Sequence, residues 1–242
     1  MNIDSLKILF IVLCFQLLFV SFFLFQSKNG KSISNKLLAT VFTMLSIAVL
    51  DLYFLIFSSG IDLTQLLMID DTFMFAYGPL LYLFTQSVLY KDFRFKRKSL
   101  MHFIPFMISL GIVIWLILST ESKVMSSAME QIKNRQVPLI IRTGEFIMLA
   151  HIFFYLIKSK IETRKVINIA LNTYSSFSVN NSNSLMFIIN SFILMFGLSL
   201  LHSILPVVGI QNGLLITVTN LIIFCSFTLL YFLLWLWLVG CL

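Results

Sequence analysis

The sequence predicts an all-α integral membrane protein: a bundle of seven transmembrane helices with the N-terminus outside and the C-terminus inside. Two observations predict the fold class. Of the 242 residues, 59% are apolar and only 11% are charged, against about 25% charged in an ordinary soluble domain. A soluble fold of this length would leave more surface facing water than 10 acidic and 17 basic residues could cover. The positions of the basic residues then predict the orientation.

Seven stretches are long and apolar enough to cross the hydrocarbon core of a bilayer, which takes about 20 helical residues. The predicted spans are residues 6–25, 37–57, 72–90, 101–118, 138–157, 185–205 and 214–239. The first is uncharged from Ile8 to Phe25. It is longer than the roughly 7–15 apolar residues of a signal peptide and has no small-residue cleavage site, so we interpret it as a retained helix.

Glycine and proline residues interrupt or end several of the later spans. The third contains Tyr77, Gly78 and Pro79, and Pro105 lies near the start of the fourth. Glycine and proline within apolar helices favour close helix packing and kinks. Pro206 ends the sixth span.

Basic residues concentrate in alternate loops. The segments 26–36, 91–100 and 158–184 together hold twelve of the 17 Lys and Arg residues, whereas 58–71 has none and carries three aspartates. Since Lys and Arg accumulate on the cytoplasmic side, these three loops are predicted to lie inside. The cytoplasmic connection 158–184 is expected to form a short helix over 160–174, followed by a Ser- and Asn-rich loop that caps the sixth helix.

Four ionisable residues within the predicted spans are candidates for ligand binding or switching: Asp51, Arg142, Glu145 and His151. Such groups are costly in a membrane and usually face the bundle interior. Asp51 could contact a ligand, act as a proton-linked switch or be a buried acid bonded to another helix. Arg142 and Glu145 could form an internal ion pair, since residues three apart are neighbours on a helix, or they could line an outer polar vestibule. His151 is expected to bond to a facing helix.

Enzyme chemistry is not indicated. The HExxH, GxSxG and P-loop motifs are absent from the sequence. No metal or other cofactor is predicted, because neither His151 nor His202 has a second ligand three or four residues away. Cys14, Cys225 and Cys241 lie in apolar surroundings and are expected to be small buried side chains.

A series of short motifs resembles a known family. Tyr77-Gly78-Pro79-Leu80-Leu81-Tyr82 is followed by the basic run 93–98 and then by His102-Phe103-Ile104-Pro105-Phe106. This string is similar to the seven-helix N-terminal domain of membrane-bound AraC-type transcriptional regulators of bacteria. In that family the membrane domain precedes a cytoplasmic helix-turn-helix domain.

The resemblance implies a signal-sensing module in the bacterial inner membrane. Its partners would be the lipid bilayer and a small-molecule or membrane-derived signal. DNA would be contacted only through a C-terminal output domain, which we expect this chain to stop short of, since no Asp, Glu, Lys or Arg follows Lys165. AraC-type output domains often bind paired half-sites, which makes a homodimer one expected arrangement. The alternative function is a small multi-pass transporter or channel component that uses Asp51, Arg142 and Glu145 as a polar path.

Overall fold

The computed structural model describes residues 3–26, 32–57, 64–90, 92–119, 139–173, 180–205 and 207–208. Within these ranges the chain is helical and contains no strand. The helices are α1 (Ile3–Gln26), α2 (Ser32–Phe57), α3 (Thr64–Leu89), α4 (Arg97–Leu100), α5 (Ile104–Ser119), α6 (Leu139–Thr173) and α7 (Asn180–Ile204), with a 3₁₀ turn at Met101–Phe103 between α4 and α5. The predicted seventh span, 214–239, lies outside the described residues.

Four helical segments are long and apolar enough to cross a membrane. They are Lys7–Gln26, Ile33–Phe54, Arg97–Ser119 and Ser184–Ile204. Large apolar side chains on these helices are exposed on the surface of the protein, among them Phe15 at 68% and Trp115 at 65%. Exposed apolar surface of this extent is typical of helices that face lipid. The protein is therefore an all-helical protein of membrane type.

Helix α3 lies at the centre of the described bundle. It packs against α2, α5 and α6, while α1 packs on α2 and α7 packs on α6. Every residue of α3 from Ala76 to Thr85 is buried. A helix that is buried all round needs apolar or small residues on every face, and this stretch contains the Gly78-Pro79 motif together with Leu80, Leu81 and Leu83.

Helices α1 and α2 are joined by small polar side chains. The Ser21 hydroxyl lies 2.6 Å from the Thr43 hydroxyl and donates to the Ala39 carbonyl at 2.9 Å. About two turns away along the same pair of helices, the Ser46 hydroxyl donates to the Cys14 carbonyl at 3.1 Å. Cys14 is thus half-buried at a helix contact. Hydrogen bonds between small side chains allow apolar helices to approach closely and fix their register.

The helices extend beyond the predicted spans. Residues 160–174 do not form a separate short helix, because α6 is continuous over 35 residues. The charged segment from Lys158 to Lys165 is rich in strong helix formers and contains no Gly or Pro, so nothing in it ends the helix. At 1.5 Å per residue α6 is about 52 Å long, well beyond a hydrocarbon core of about 30 Å. Similarly, α7 begins inside the predicted capping loop, and α3 begins before Asp70 and Asp71.

Candidate functional site

Helices α3 and α6 pack closely at Gly78. A Cβ atom at this position would lie 3.0 Å from Cδ2 of Tyr155 and 3.3 Å from Cα of Ile152. The absence of a side chain at Gly78 is therefore what lets the backbones of α3 and α6 approach. Pro79 follows it inside α3. The proline has no N–H to donate to the carbonyl four residues earlier.

One turn after Gly78, α3 and α6 are joined by a triangle of hydrogen bonds. The Tyr82 hydroxyl donates to Oε1 of Glu162 at 2.9 Å. Nε2 of Gln86 donates to Oε2 of Glu162 at 3.0 Å and to the Tyr82 hydroxyl at 2.7 Å. Each carboxylate oxygen of Glu162 thus accepts a hydrogen bond from α3. Hydrogen bonds to an ionised group are about twice as strong as those between neutral groups.

His102, in the 3₁₀ turn that precedes α5, adds a third structural element to this cluster of side chains. Its Nδ1 lies 2.9 Å from the Tyr155 hydroxyl. Its ring is perpendicular to that of Tyr155, with centroids 5.6 Å apart, and lies 5.7 Å from that of Tyr82. Pro105 occupies the first turn of α5, where the missing N–H costs no helical hydrogen bond.

Lys158 completes the cluster. Its Nζ lies 4.4 Å from the centroid of the Tyr82 ring, within cation–π range. It precedes Glu162 by one turn of α6. We call the set formed by Tyr82, Gln86, His102, Tyr155, Lys158 and Glu162 the tyrosine network. It joins α3, α6 and the turn before α5 through side chains that each have a partner, so a shift of one helix must alter contacts on the other two.

A second polar region lies at the other end of α3 and α6. The charge of Asp51 on α2 acts on Asp70 and Asp71 of α3, and Asp71 is in turn within electrostatic range of Glu145 on α6. We call these four residues the acidic end. Asp70 is half-buried, and its Oδ1 is shielded from solvent with no hydrogen-bond partner.

The candidates predicted from the sequence divide between these regions. Asp51 and Glu145 belong to the acidic end. Arg142 is close enough for its charge to act on Glu145, but no hydrogen bond or ion pair joins the two among the residues whose side chains are described. His151 lies between the regions, with its ring 5.5 Å from Phe75 and 5.0 Å from Tyr155. Its Nδ1 is buried without a partner, so this atom does not make the expected bond to a facing helix.

Tyr77, from the same sequence motif as Tyr82, packs against α7. It is 2% exposed, and its ring centroid lies 5.8 Å from that of Phe196 on α7. Its hydroxyl is buried and has no hydrogen-bond partner. Tyr77 and Tyr82 thus belong to one motif but make different contacts, Tyr77 with α7 and Tyr82 with α6.

Sequence reasoning did not single out Gln86, Tyr155, Lys158 or Glu162. One signal could have pointed to the last two: Glu162 is the only acidic residue in the basic segment from Lys158 to Lys165, and it lies four residues after Lys158. Within the ranges that the structure describes, no group of three or more His, Cys, Asp or Glu side chains could hold a metal ion.

In comparisons with protein-family models, curated proteins and solved structures, the chain has no significant match. The two polar regions and the helices that connect them are therefore the features of this chain that bear on its function.

Proposed function

We propose that the chain is a signal-sensing module of the bacterial inner membrane, a seven-helix bundle with its N-terminus outside and its C-terminus inside, and the sensor part of an AraC-type transcriptional regulator. The observation that carries the proposal is the continuous helix α6. It bears Glu145 at the acidic end, Tyr155 and Glu162 in the tyrosine network, and a charged extension beyond the length of a membrane span.

The two regions have the properties that a sensor needs. At the acidic end, Asp70 has a shielded carboxylate oxygen without a hydrogen-bond partner and lies within range of other acidic charges, so a cationic ligand or protons would change the energy of this region strongly. The tyrosine network holds three elements together through directional contacts and would respond to a shift of α6. In the proposed orientation the acidic end is outside and the network is inside.

Orientation is tested by cysteine labelling in a background without the native cysteines. With the N-terminus outside, a cysteine at Ser59 reacts with an impermeant reagent in intact cells, whereas one at Asn29 does not. Both positions lie outside the described residues and are chosen from the loop charges alone. Labelling at position 29 alone would overturn the orientation.

Signal transmission is tested by fusing a helix-turn-helix reporter domain after Leu242 in three linker lengths. Asp71→Asn at the acidic end is expected to change reporter output, and Tyr82→Phe is expected to abolish that change in the double variant. Asn168→Lys, which makes the same change of net charge at an exposed position of α6 outside both regions, is the control and should leave output unaltered. Output that follows only the amount of protein in the membrane would contradict the sensor proposal.

The acidic end also favours a second candidate, a proton-linked transporter. Purified chain in liposomes that contain a pH-sensitive dye distinguishes the two. The sensor proposal expects no proton flux above that of empty liposomes. A flux that Asp51→Asn removes would favour the transporter instead.

A further inference from the structure

A cavity opens where α3 ends and α4 begins. Its volume is about 360 Å³, within the usual range of small-ligand sites. It is lined by Gln86, Tyr90, Asp92, Phe93, Arg94, Lys96 and Ser99. Neither of the polar regions described above accounts for it, although Gln86 belongs to both the cavity and the tyrosine network.

The charge and chemistry of the lining favour a phosphodiester. Arg94 and Lys96 supply two positive charges against the single negative charge of Asp92. A guanidinium binds phosphate oxygens in a bidentate manner, and an ammonium adds a point charge. The hydroxyl groups of Tyr90 and Ser99 add polar groups of the kind that contact phosphate oxygens and headgroup hydroxyls. The net charge of +1 on the lining matches one singly charged anion.

The surface next to the cavity is suited to acyl chains. Leu100 and Met101, which follow Ser99 directly, are 55% and 64% exposed. The adjoining helix α5 has no buried residue along its whole length. Tyr90, at the cavity, is 46% exposed, as is typical of aromatic residues at the level of lipid headgroups. A ligand with a charged head and long apolar chains fits this arrangement better than a free anion does.

We propose that this cavity binds the headgroup of an anionic phospholipid, with the phosphate held by Arg94 and Lys96 and the acyl chains lying along α5. The site does not depend on the proposed sensor role. Because Gln86 donates hydrogen bonds to Tyr82 and Glu162, occupancy of the cavity is coupled to the tyrosine network.

The test titrates the purified chain in neutral detergent with phosphatidylglycerol, phosphatidylethanolamine, phosphatidylcholine or inorganic phosphate and follows thermal unfolding. A saturating specific ligand is expected to raise Tm by about 5 °C, and only phosphatidylglycerol should do so. Arg94→Gln/Lys96→Gln should weaken the apparent affinity about tenfold or more, because two charge-assisted contacts are lost. Arg97→Gln/Lys98→Gln is the matched control, since it removes the same charge from exposed neighbours that do not line the cavity.

Each other outcome overturns the proposal. Equal loss in the two double variants would show general attraction to basic surface only, and no loss in either would show that the lipid binds elsewhere. Equal stabilisation by the other two lipids would exclude an anionic headgroup site, and equal stabilisation by inorganic phosphate would assign the cavity to a free anion. If the cavity variant does not fold, Arg94→Lys retains the charge but loses the bidentate geometry, and a partial loss of affinity is expected.

Discussion

The tyrosine network and the acidic end share helices α3 and α6 but differ in how their carboxylates are hydrogen-bonded. Glu162 accepts hydrogen bonds from Tyr82 and Gln86. In Asp70, by contrast, one carboxylate oxygen is shielded from solvent and has no hydrogen-bond partner, and the residue lies within electrostatic range of other acids. Glu145 and Glu162 are 17 residues apart on α6, or about 25 Å along its axis.

The difference shows what each region is suited to do. A carboxylate whose oxygens are satisfied by another helix holds two helices in one register. A half-buried carboxylate oxygen that lacks a donor, as in Asp70, is destabilised by desolvation and by the charges of nearby acids. The comparison therefore distinguishes a region whose carboxylate is satisfied by hydrogen bonds from one that leaves a carboxylate oxygen without a partner, and four substitution experiments test the consequences of that difference.

The largest effect is expected for Glu162→Ala. The substitution removes the acceptor of the Tyr82 hydroxyl and one of the two acceptors of Gln86 Nε2. It should destabilise the protein by about 2–3 kcal/mol, which corresponds to a Tm lower by roughly 4–12 °C in a chain of this length. Arg164→Ala is the control, because it truncates an exposed side chain on the same turn of α6. Similar melting temperatures for the two variants would mean that the hydrogen-bond triangle contributes nothing to stability.

Gly78→Ala is expected to have the next largest effect. The new Cβ would force Tyr155 and the backbone at Ile152 to move by a few tenths of an ångström, at a cost of about 1–2 kcal/mol. The matched control is Gly111→Ala, since a Cβ there meets no atom within 4 Å. This control should melt at the same temperature as the wild type or slightly higher, because Ala is the better helix former. An equal loss in both variants would point to a helix effect and not to close packing.

These contacts show which features of the structure could be predicted from the sequence and which could not. Composition and hydropathy predict membrane helices because burial in lipid depends on each segment separately. The role of Gly78 in close packing follows from its size. The partners of Tyr82 do not follow, because Glu162 is 80 residues away and its pairing depends on the register between α3 and α6. The expectation of a separate short helix over 160–174 was wrong for a related reason: charge marks the membrane boundary, but helix-forming residues continue the backbone beyond it.

Removal of single tyrosine hydroxyl groups should change stability less than Gly78→Ala does, and it tests the contribution of hydrogen bonding more specifically. Tyr155→Phe removes the hydrogen bond with His102 and should cost about 1 kcal/mol. Tyr77→Phe removes a buried hydroxyl that has no partner, so it should leave the melting temperature unchanged or raise it. The two variants lose the same atom from similarly buried rings. A loss at Tyr77 as large as that at Tyr155 would show that hydrogen bonding does not distinguish them.

The smallest change in stability is expected at the acidic end, where the sign of the change distinguishes the two regions. Asp70→Asn removes one negative charge from a position on which Asp51 and Asp71 both act. Relief of that repulsion should leave stability unchanged or increase it by up to about 1 kcal/mol, whereas loss of Glu162 destabilises. Asn168→Lys, at an exposed position of α6 outside the acidic end, controls for the change of net charge, and thermal unfolding at low and high salt measures both variants. Any gain should shrink as salt screens the remaining charges. If Asp70→Asn instead lowers Tm as much as Glu162→Ala does, Asp70 has a stabilising partner and the carboxylates of the two regions are both satisfied.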